Sequence, residues 1–124
     1  EVLGLPEAAE VEPFGIRLKL KVPGAAQSAR REVDVLAGHG EVGLVVEVKS
    51  TLSPEGVAAF AARLPELRPY VAPFGVREII GGVATLYPDP SVVALGTRLG
   101  LVVLGVGDDL MDLKNPPGFA PKRF

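Results

Sequence analysis

The sequence predicts one α/β domain over 1–124, built on a mixed β-sheet in which a three-stranded antiparallel meander precedes an α-β-α-β segment. Three observations lead to this fold class. Apolar and polar residues alternate with period two early in the chain, which is typical of half-buried strands. Two later segments carry apolar residues at helical spacing. Each of these is followed by an apolar run, and alternating helices and buried strands predict crossover helices flanking the sheet.

The predicted meander consists of three strands and one turn. They are the strands 14–22, 31–37 and 42–49, with the turn at 38–41. In the first strand, apolar residues share one face and Arg17, Lys19 and Lys21 share the other. The third strand is apolar on both faces up to Val46, which predicts a central position in the sheet.

The second part of the chain predicts two helices and two buried strands. The helices are expected at 53–67 and 90–99 and the strands at 78–87 and 101–106, with a short edge strand at 109–113 and an irregular tail at 115–124. Ser53 is a good N-cap, and Pro54 suits the first helical position. Pro65 and Pro69 are expected to kink or end the first helix, and Gly100 to end the second.

Composition excludes several classes of site. The chain has 124 residues, of which 48% are hydrophobic, so a single core needs no covalent staple. It has no cysteine and one histidine, which excludes disulfides, thiolate metal sites and a histidine-based zinc cluster. Abundant proline with scarce asparagine and glutamine is typical of a thermophile or of a GC-rich genome, and both alternatives stay open.

Charge and hydropathy bear on location and partners. The formal net charge of -2 argues against permanent residence on nucleic acid but allows a local basic face. No apolar run approaches the roughly 18 residues that a membrane helix needs. No signal peptide is visible, so we expect a cytoplasmic protein.

Three polar residues interrupt strands that are otherwise apolar: Asp34, Glu47 and Lys49. Period two places Glu47 and Lys49 on the same face of the third strand. If the hairpin is symmetric about Gly40 and Glu41, Asp34 lies directly across from Glu47, with side-chain roots about 5 Å apart. Two carboxylates and one ammonium group are then expected on one patch of the sheet.

This arrangement suits a divalent cation. Neighbouring carboxylates repel each other when both are ionised, and a hard cation such as Mg²⁺ removes that repulsion. The backbone carbonyl of Val48 is a further expected ligand, and Lys49 would orient or help deprotonate a water beside the metal. Such a cation polarises a phosphodiester and helps to generate the nucleophile. The alternative is a cross-strand salt bridge among Asp34, Glu47 and Lys49 on an exposed sheet face.

The segments 31–37 and 44–50 together resemble the core motif of the PD-(D/E)XK nuclease superfamily, which includes restriction enzymes and archaeal-type Holliday-junction resolvases. That motif is an aspartate, a hairpin, and Glu-x-Lys after a run of apolar residues. Asp34, Glu47 and Lys49 match it residue for residue. The resemblance extends over about 14–124 and is greatest to an uncharacterised prokaryotic branch. The segments that carry this wider resemblance are 81–84, 100–103 and 118–124.

The resemblance implies a restriction-endonuclease-like fold and a Mg²⁺- or Mn²⁺-dependent endonuclease that cleaves DNA, with no membrane partner and with a homodimer left open. Arg17, Lys19 and Lys21 would then hold DNA phosphates, or else form a solvated strand face. The rival is a catalytically silent relative that serves as a DNA-binding or protein-interaction module. The family's first acidic residue lies on a helix before the first strand. We expect that most of this helix is absent from the sequence, and the candidates for the acidic residue are Glu1, Glu7 and Glu10.

Overall fold

The computed structural model describes residues 12–20, 31–106 and 111–124, and the side chains of 34–105 and 112–124. Within these ranges the chain forms a six-stranded sheet in the order β1-β2-β3-β4-β5-β6. The strands are β1 Glu12–Leu20, β2 Arg31–His39, β3 Val42–Lys49, β4 Glu78–Thr85, β5 Val102–Val106 and β6 Met111–Leu113. The helices are α1 Pro54–Arg63, α2 Arg68–Val71 and α3 Pro90–Arg98.

The sheet is mixed. Strands β1, β2 and β3 form an antiparallel meander, β3, β4 and β5 are parallel to one another, and β6 is antiparallel to β5. This order confirms the predicted α/β architecture, a mixed sheet in which an antiparallel meander is followed by α-β-α-β. The central position predicted for the third strand is also confirmed, because β3 lies between β2 and β4.

Several strand boundaries differ from the prediction: β1 begins at Glu12 and not at residue 14, and β5 begins at Val102 and not at residue 101. Strand β2 runs to His39 and not to residue 37, because Gly38 and His39 still pair with β3. The turn is therefore the two residues Gly40 and Glu41, and Gly40 has a positive φ of 59°, which glycine adopts without steric cost. Strand β4 ends at Thr85 and not at residue 87. The predictions that lie outside the described residues concern Glu1, Glu7, Glu10, Lys21, the end of the first strand at residue 22 and the start of the edge strand at residue 109.

Helix α1 begins where the sequence predicts and ends earlier. The Ser53 hydroxyl accepts a hydrogen bond from the Gly56 amide at 3.1 Å, which caps the first turn. The helix ends at Arg63, before Pro65, whose ring lacks the amide hydrogen that an α-helix needs. A single 3₁₀ turn then leads into α2. No helix in the described ranges is long and apolar enough to cross a membrane.

Helices α1 and α3 pack on the same face of the sheet. Successive right-handed crossovers that proceed in one direction across a parallel sheet place their helices on one side. The main core joins these helices to alternate residues of β2, β3, β4 and β5, and its largest fully buried members include Leu36, Val45, Val57, Leu64, Ile79, Val83, Val92 and Val103. Helix α1 comes unusually close to β4 at Gly81, where a Cβ atom would collide with the Leu64 side chain. This close approach requires the bare backbone of glycine at position 81.

The tail is irregular, as predicted, but it is part of the packed structure. The backbone of Phe124 exchanges two hydrogen bonds with Ile79, at 2.8 and 3.0 Å, beside the part of β4 that precedes its pairing with β5. The Phe124 ring is buried in the main core. Asn115 is also buried, and its side chain accepts from the Val103 amide at 2.7 Å and donates to the Leu101 carbonyl at 3.1 Å.

Candidate functional site

The hairpin of β2 and β3 sets the position of Asp34. Its residue pairs are centred on Gly40 and Glu41, and the last backbone pair is Val35 with Val46. Extending this register by one residue places Asp34 directly across from Glu47. The Asp34 Oδ2 atom accepts a hydrogen bond from the Val48 amide at 2.8 Å, so the carboxylate takes the place of the next backbone hydrogen bond. This contact fixes Asp34 to the edge of β3.

Glu47 lies one residue before Val48 and faces the helix-covered side of the sheet, because strand residues alternate and Val45 on that side is in the core. Its Oε1 atom forms an ion pair of 2.9 Å with Nη2 of Arg63, the last residue of α1. The Glu47 side chain is 17% exposed and that of Arg63 is 51% exposed. The Glu47 carboxylate is thus largely covered, whereas its counter-ion Arg63 is half exposed to solvent.

Lys49 ends β3 on the same face as Glu47, by the same alternation, and is exposed. It borders a depression of about 240 Å³ at the carboxyl ends of β3 and β4, which is lined by Val48, Lys49, Ser50, Ala84, Thr85 and Leu86. The buried Thr85 hydroxyl donates to the Ser50 carbonyl at 3.0 Å and joins the two strand ends. Among the described residues, no carboxylate forms an ion pair with Lys49.

The potential metal ligands at the carboxyl end of β3 are oxygen atoms. Asp34 and Glu47 each have one carboxylate oxygen in a described hydrogen bond and a second oxygen outside those bonds. The Val48 amide points toward β2, and in an extended strand the carbonyl of the same residue leaves on the same side. Two carboxylates and a carbonyl fit a hard cation that keeps several waters. Among the described side chains, histidine, aspartate and glutamate residues form no cluster of three or more that could hold a metal ion.

The predicted phosphate-binding residues lie at the other edge of the meander. Arg17 and Lys19 are in β1, whose backbone alone is described, and Lys21 is outside the described residues. In the register of β1 with β2, position 17 falls between the pairs that involve Val35 and Val33, which is opposite Asp34. The backbone therefore brings one predicted basic position to the strand that carries Asp34.

Arg63 is the site residue that the sequence analysis did not identify. It follows Phe60 by three residues and precedes Leu64, both of which are buried, so it borders the apolar stripe of α1. The sequence signal that could have identified it is a basic residue beside that stripe, on the helix that follows Glu-x-Lys. The contact itself depends on how α1 crosses the sheet, which helical spacing does not specify.

Comparison with known proteins gives a structural likeness alone. No family model and no curated protein matches the chain. A solved EndoMS–dsDNA2 complex is similar, with a TM-score of 0.48 and 17% sequence identity over 85% of this chain. The aligned region spans 41% of the length of that chain, which is less than half of it.

Proposed function

We propose that this domain is a Mg²⁺- or Mn²⁺-dependent nuclease that hydrolyses DNA phosphodiester bonds. The observation that carries the proposal is the set of Asp34, Glu47 and Lys49 at the carboxyl end of β3, on β3 and its neighbour β2, with Asp34 anchored by the Val48 amide at 2.8 Å. Oxygen donors on rigid strands hold a hard cation with little reorganisation. When bound, the cation supplies charge stabilisation at the phosphate and a more acidic water.

Each residue has a distinct role in this proposal. Asp34 and Glu47 bind the cation, and the Val48 carbonyl is a further ligand on the same side of the strand. Lys49 is not a ligand; its exposed ammonium group orients the attacking water, or the side chain in its neutral amine form accepts the proton of that water beside the phosphate. Arg17, Lys19 and Lys21 would bind flanking phosphates, each contact releasing counterions and making the affinity dependent on salt.

A catalytically silent DNA-binding or protein-interaction module is the second candidate. Two observations favour it. The side chains described include no third acidic ligand, and both carboxylates already have protein partners. Such a module would retain the hairpin and the basic strand positions and would bind its partner without chemistry.

Cleavage of supercoiled plasmid and linear duplex DNA separates the two candidates. Wild type should cleave in Mg²⁺ or Mn²⁺ and not in EDTA. Lys49→Ala should lower the rate by about a hundredfold or more, as expected for loss of a group that transfers a proton. Asp34→Asn should abolish cleavage, whereas Asp112→Asn, a matched change of an exposed aspartate on the edge strand β6, should not alter it. DNA binding without cleavage by wild type would favour the silent module, and cleavage by Lys49→Ala at the wild-type rate would contradict the assigned mechanism.

A further inference from the structure

Arg63 is held between a carboxylate and an aromatic ring. Its Nη2 atom is 2.9 Å from Oε1 of Glu47, and its guanidinium carbon is 5.9 Å from the centroid of the Phe60 ring. Phe60 is buried in the core, so the guanidinium group lies within cation–π distance of a ring whose position is fixed. The Arg63 side chain is nevertheless 51% exposed, and it therefore faces solvent at the site.

This ion pair competes with any divalent cation for Glu47. A carboxylate that neutralises arginine has less attraction for a second positive charge, because the two cations repel each other at close range. Arginine keeps its positive charge in proteins, so Arg63 cannot leave the carboxylate by losing a proton. Binding of a cation to Glu47 must therefore displace or share the Arg63 contact.

If it were displaced from Glu47, the Arg63 guanidinium group would lie within the site with its N–H groups available to another acceptor. Arginine has five N–H donors in a planar fork that matches phosphate oxygens, and contacts of this type are among the strongest charged hydrogen bonds. One described bond, to Glu47, uses Nη2. Because the base of the side chain is fixed by α1 and Phe60, the group can shift between nearby anions without rearrangement of the backbone.

We propose that Arg63 is an exchangeable counter-ion of Glu47 that becomes a phosphate-binding residue. Arg63 neutralises Glu47 when no divalent cation is bound. When a cation binds Glu47, the guanidinium group contacts a non-bridging oxygen of the substrate phosphate. This inference rests on the proposed nuclease function, and it assigns one residue both to cation affinity and to substrate binding.

Mn²⁺ affinity tests the first half of the inference, measured from the loss of the free Mn²⁺ signal in electron paramagnetic resonance. Arg63→Gln should bind Mn²⁺ about threefold more tightly than wild type, because a weak, partly exposed ion pair no longer competes. Arg98→Gln is the matched control: Arg98 is exposed in the last turn of α3, and the same charge is removed. Equal affinity in wild type and Arg63→Gln would overturn the inference, whereas Mn²⁺ binding by neither would instead refute the proposed cation site.

The salt dependence of DNA binding tests the second half, with every protein in a Lys49→Ala background to prevent cleavage. In Mn²⁺, Arg63→Gln should reduce the slope of log K against log salt concentration by about 0.9, the value for one phosphate contact. Arg63→Lys should restore that slope, because it keeps the charge, and Arg98→Gln should leave it unchanged. A slope in Arg63→Gln equal to that of the Lys49→Ala parent would reduce Arg63 to a structural ion pair. Loss of DNA binding by the parent itself would refute DNA as the substrate.

Discussion

Gly81→Ala should destabilise the domain, because helix α1 and the segment before β5 both pack against the bare backbone of β4 at this point. A Cβ atom on residue 81 would collide with Cδ1 of Leu64 and lie 2.9 Å from Cδ2 of Leu101. Both leucines are fully buried, so their side chains would have to find other rotamers within a filled core. The adjacent Gly82 is a matched control, since its nearest neighbour would be Cγ2 of Val46 at 3.4 Å, an ordinary contact.

Gly81→Ala should lower the free energy of unfolding, and Gly82→Ala should raise it. Overpacking at residue 81 costs about 1–3 kcal/mol. At residue 82 the same added methyl group restricts the unfolded chain and stabilises the fold by about 0.4–1 kcal/mol if the backbone adapts without strain. The expected difference between Gly81→Ala and Gly82→Ala is therefore about 1.4–4 kcal/mol, the sum of these ranges.

Urea denaturation followed by far-ultraviolet circular dichroism measures this difference. The midpoint should fall for Gly81→Ala with little change in slope, because the surface exposed on unfolding stays the same. The displaced helix would also carry Arg63 away from Glu47. Equal midpoints for the two variants would refute the close approach of α1 to β4 and would remove the reason that we give for the Arg63 contact.

Two further predictions concern the capping and packing of the second half of the chain. Asn115→Ala should lower the free energy of unfolding by about 1–3 kcal/mol for each buried group left without a partner, notably the Val103 amide and the Leu101 carbonyl, as measured by urea denaturation. Asp89 caps α3, and hydrogen bonds from the side chain and backbone of Ser91 hold the pKa of its carboxyl below the usual value. The stabilisation from the lowered pKa is present above the unfolded-state pKa and is lost as pH falls through the folded-state pKa. Wild type should therefore lose this stability relative to Asp89→Asn on acidification, as measured by thermal melts from neutral to acidic pH.

Local sequence signals predicted the order and direction of the elements well. Period-two alternation identified the meander, and a symmetric turn about Gly40 and Glu41 gave the register in which Val35 pairs with Val46. The Ser53-Pro54 pair marked the start of α1 to the residue. These features depend on neighbours in the sequence, which is why a single sequence contains them.

Features that depend on distant contacts could not be predicted. The ion pair between Arg63 and Glu47 requires the crossing position of α1, which packing at Gly81 determines. The pairing of Phe124 with Ile79 joins an irregular segment to a strand 45 residues earlier, and neither periodicity nor turn chemistry signals it. The hydrogen bond from the Val48 amide to Asp34 was also missed, because pattern alone does not show where a backbone ladder stops.

The proposed nuclease site depends most directly on whether Asp34 and Glu47 together bind a divalent cation. Thermal unfolding should be followed in EDTA and in increasing Mg²⁺ or Mn²⁺ for wild type, Asp34→Asn, Glu47→Gln and the control Asp112→Asn. A cation that binds only the folded state stabilises it by about 2.7 kcal/mol at a hundredfold excess over its dissociation constant. The melting temperature should rise in wild type and in Asp112→Asn and should not rise in the two site variants. Equal shifts in all four proteins would contradict this proposal and reduce the site to a set of salt bridges and hydrogen bonds.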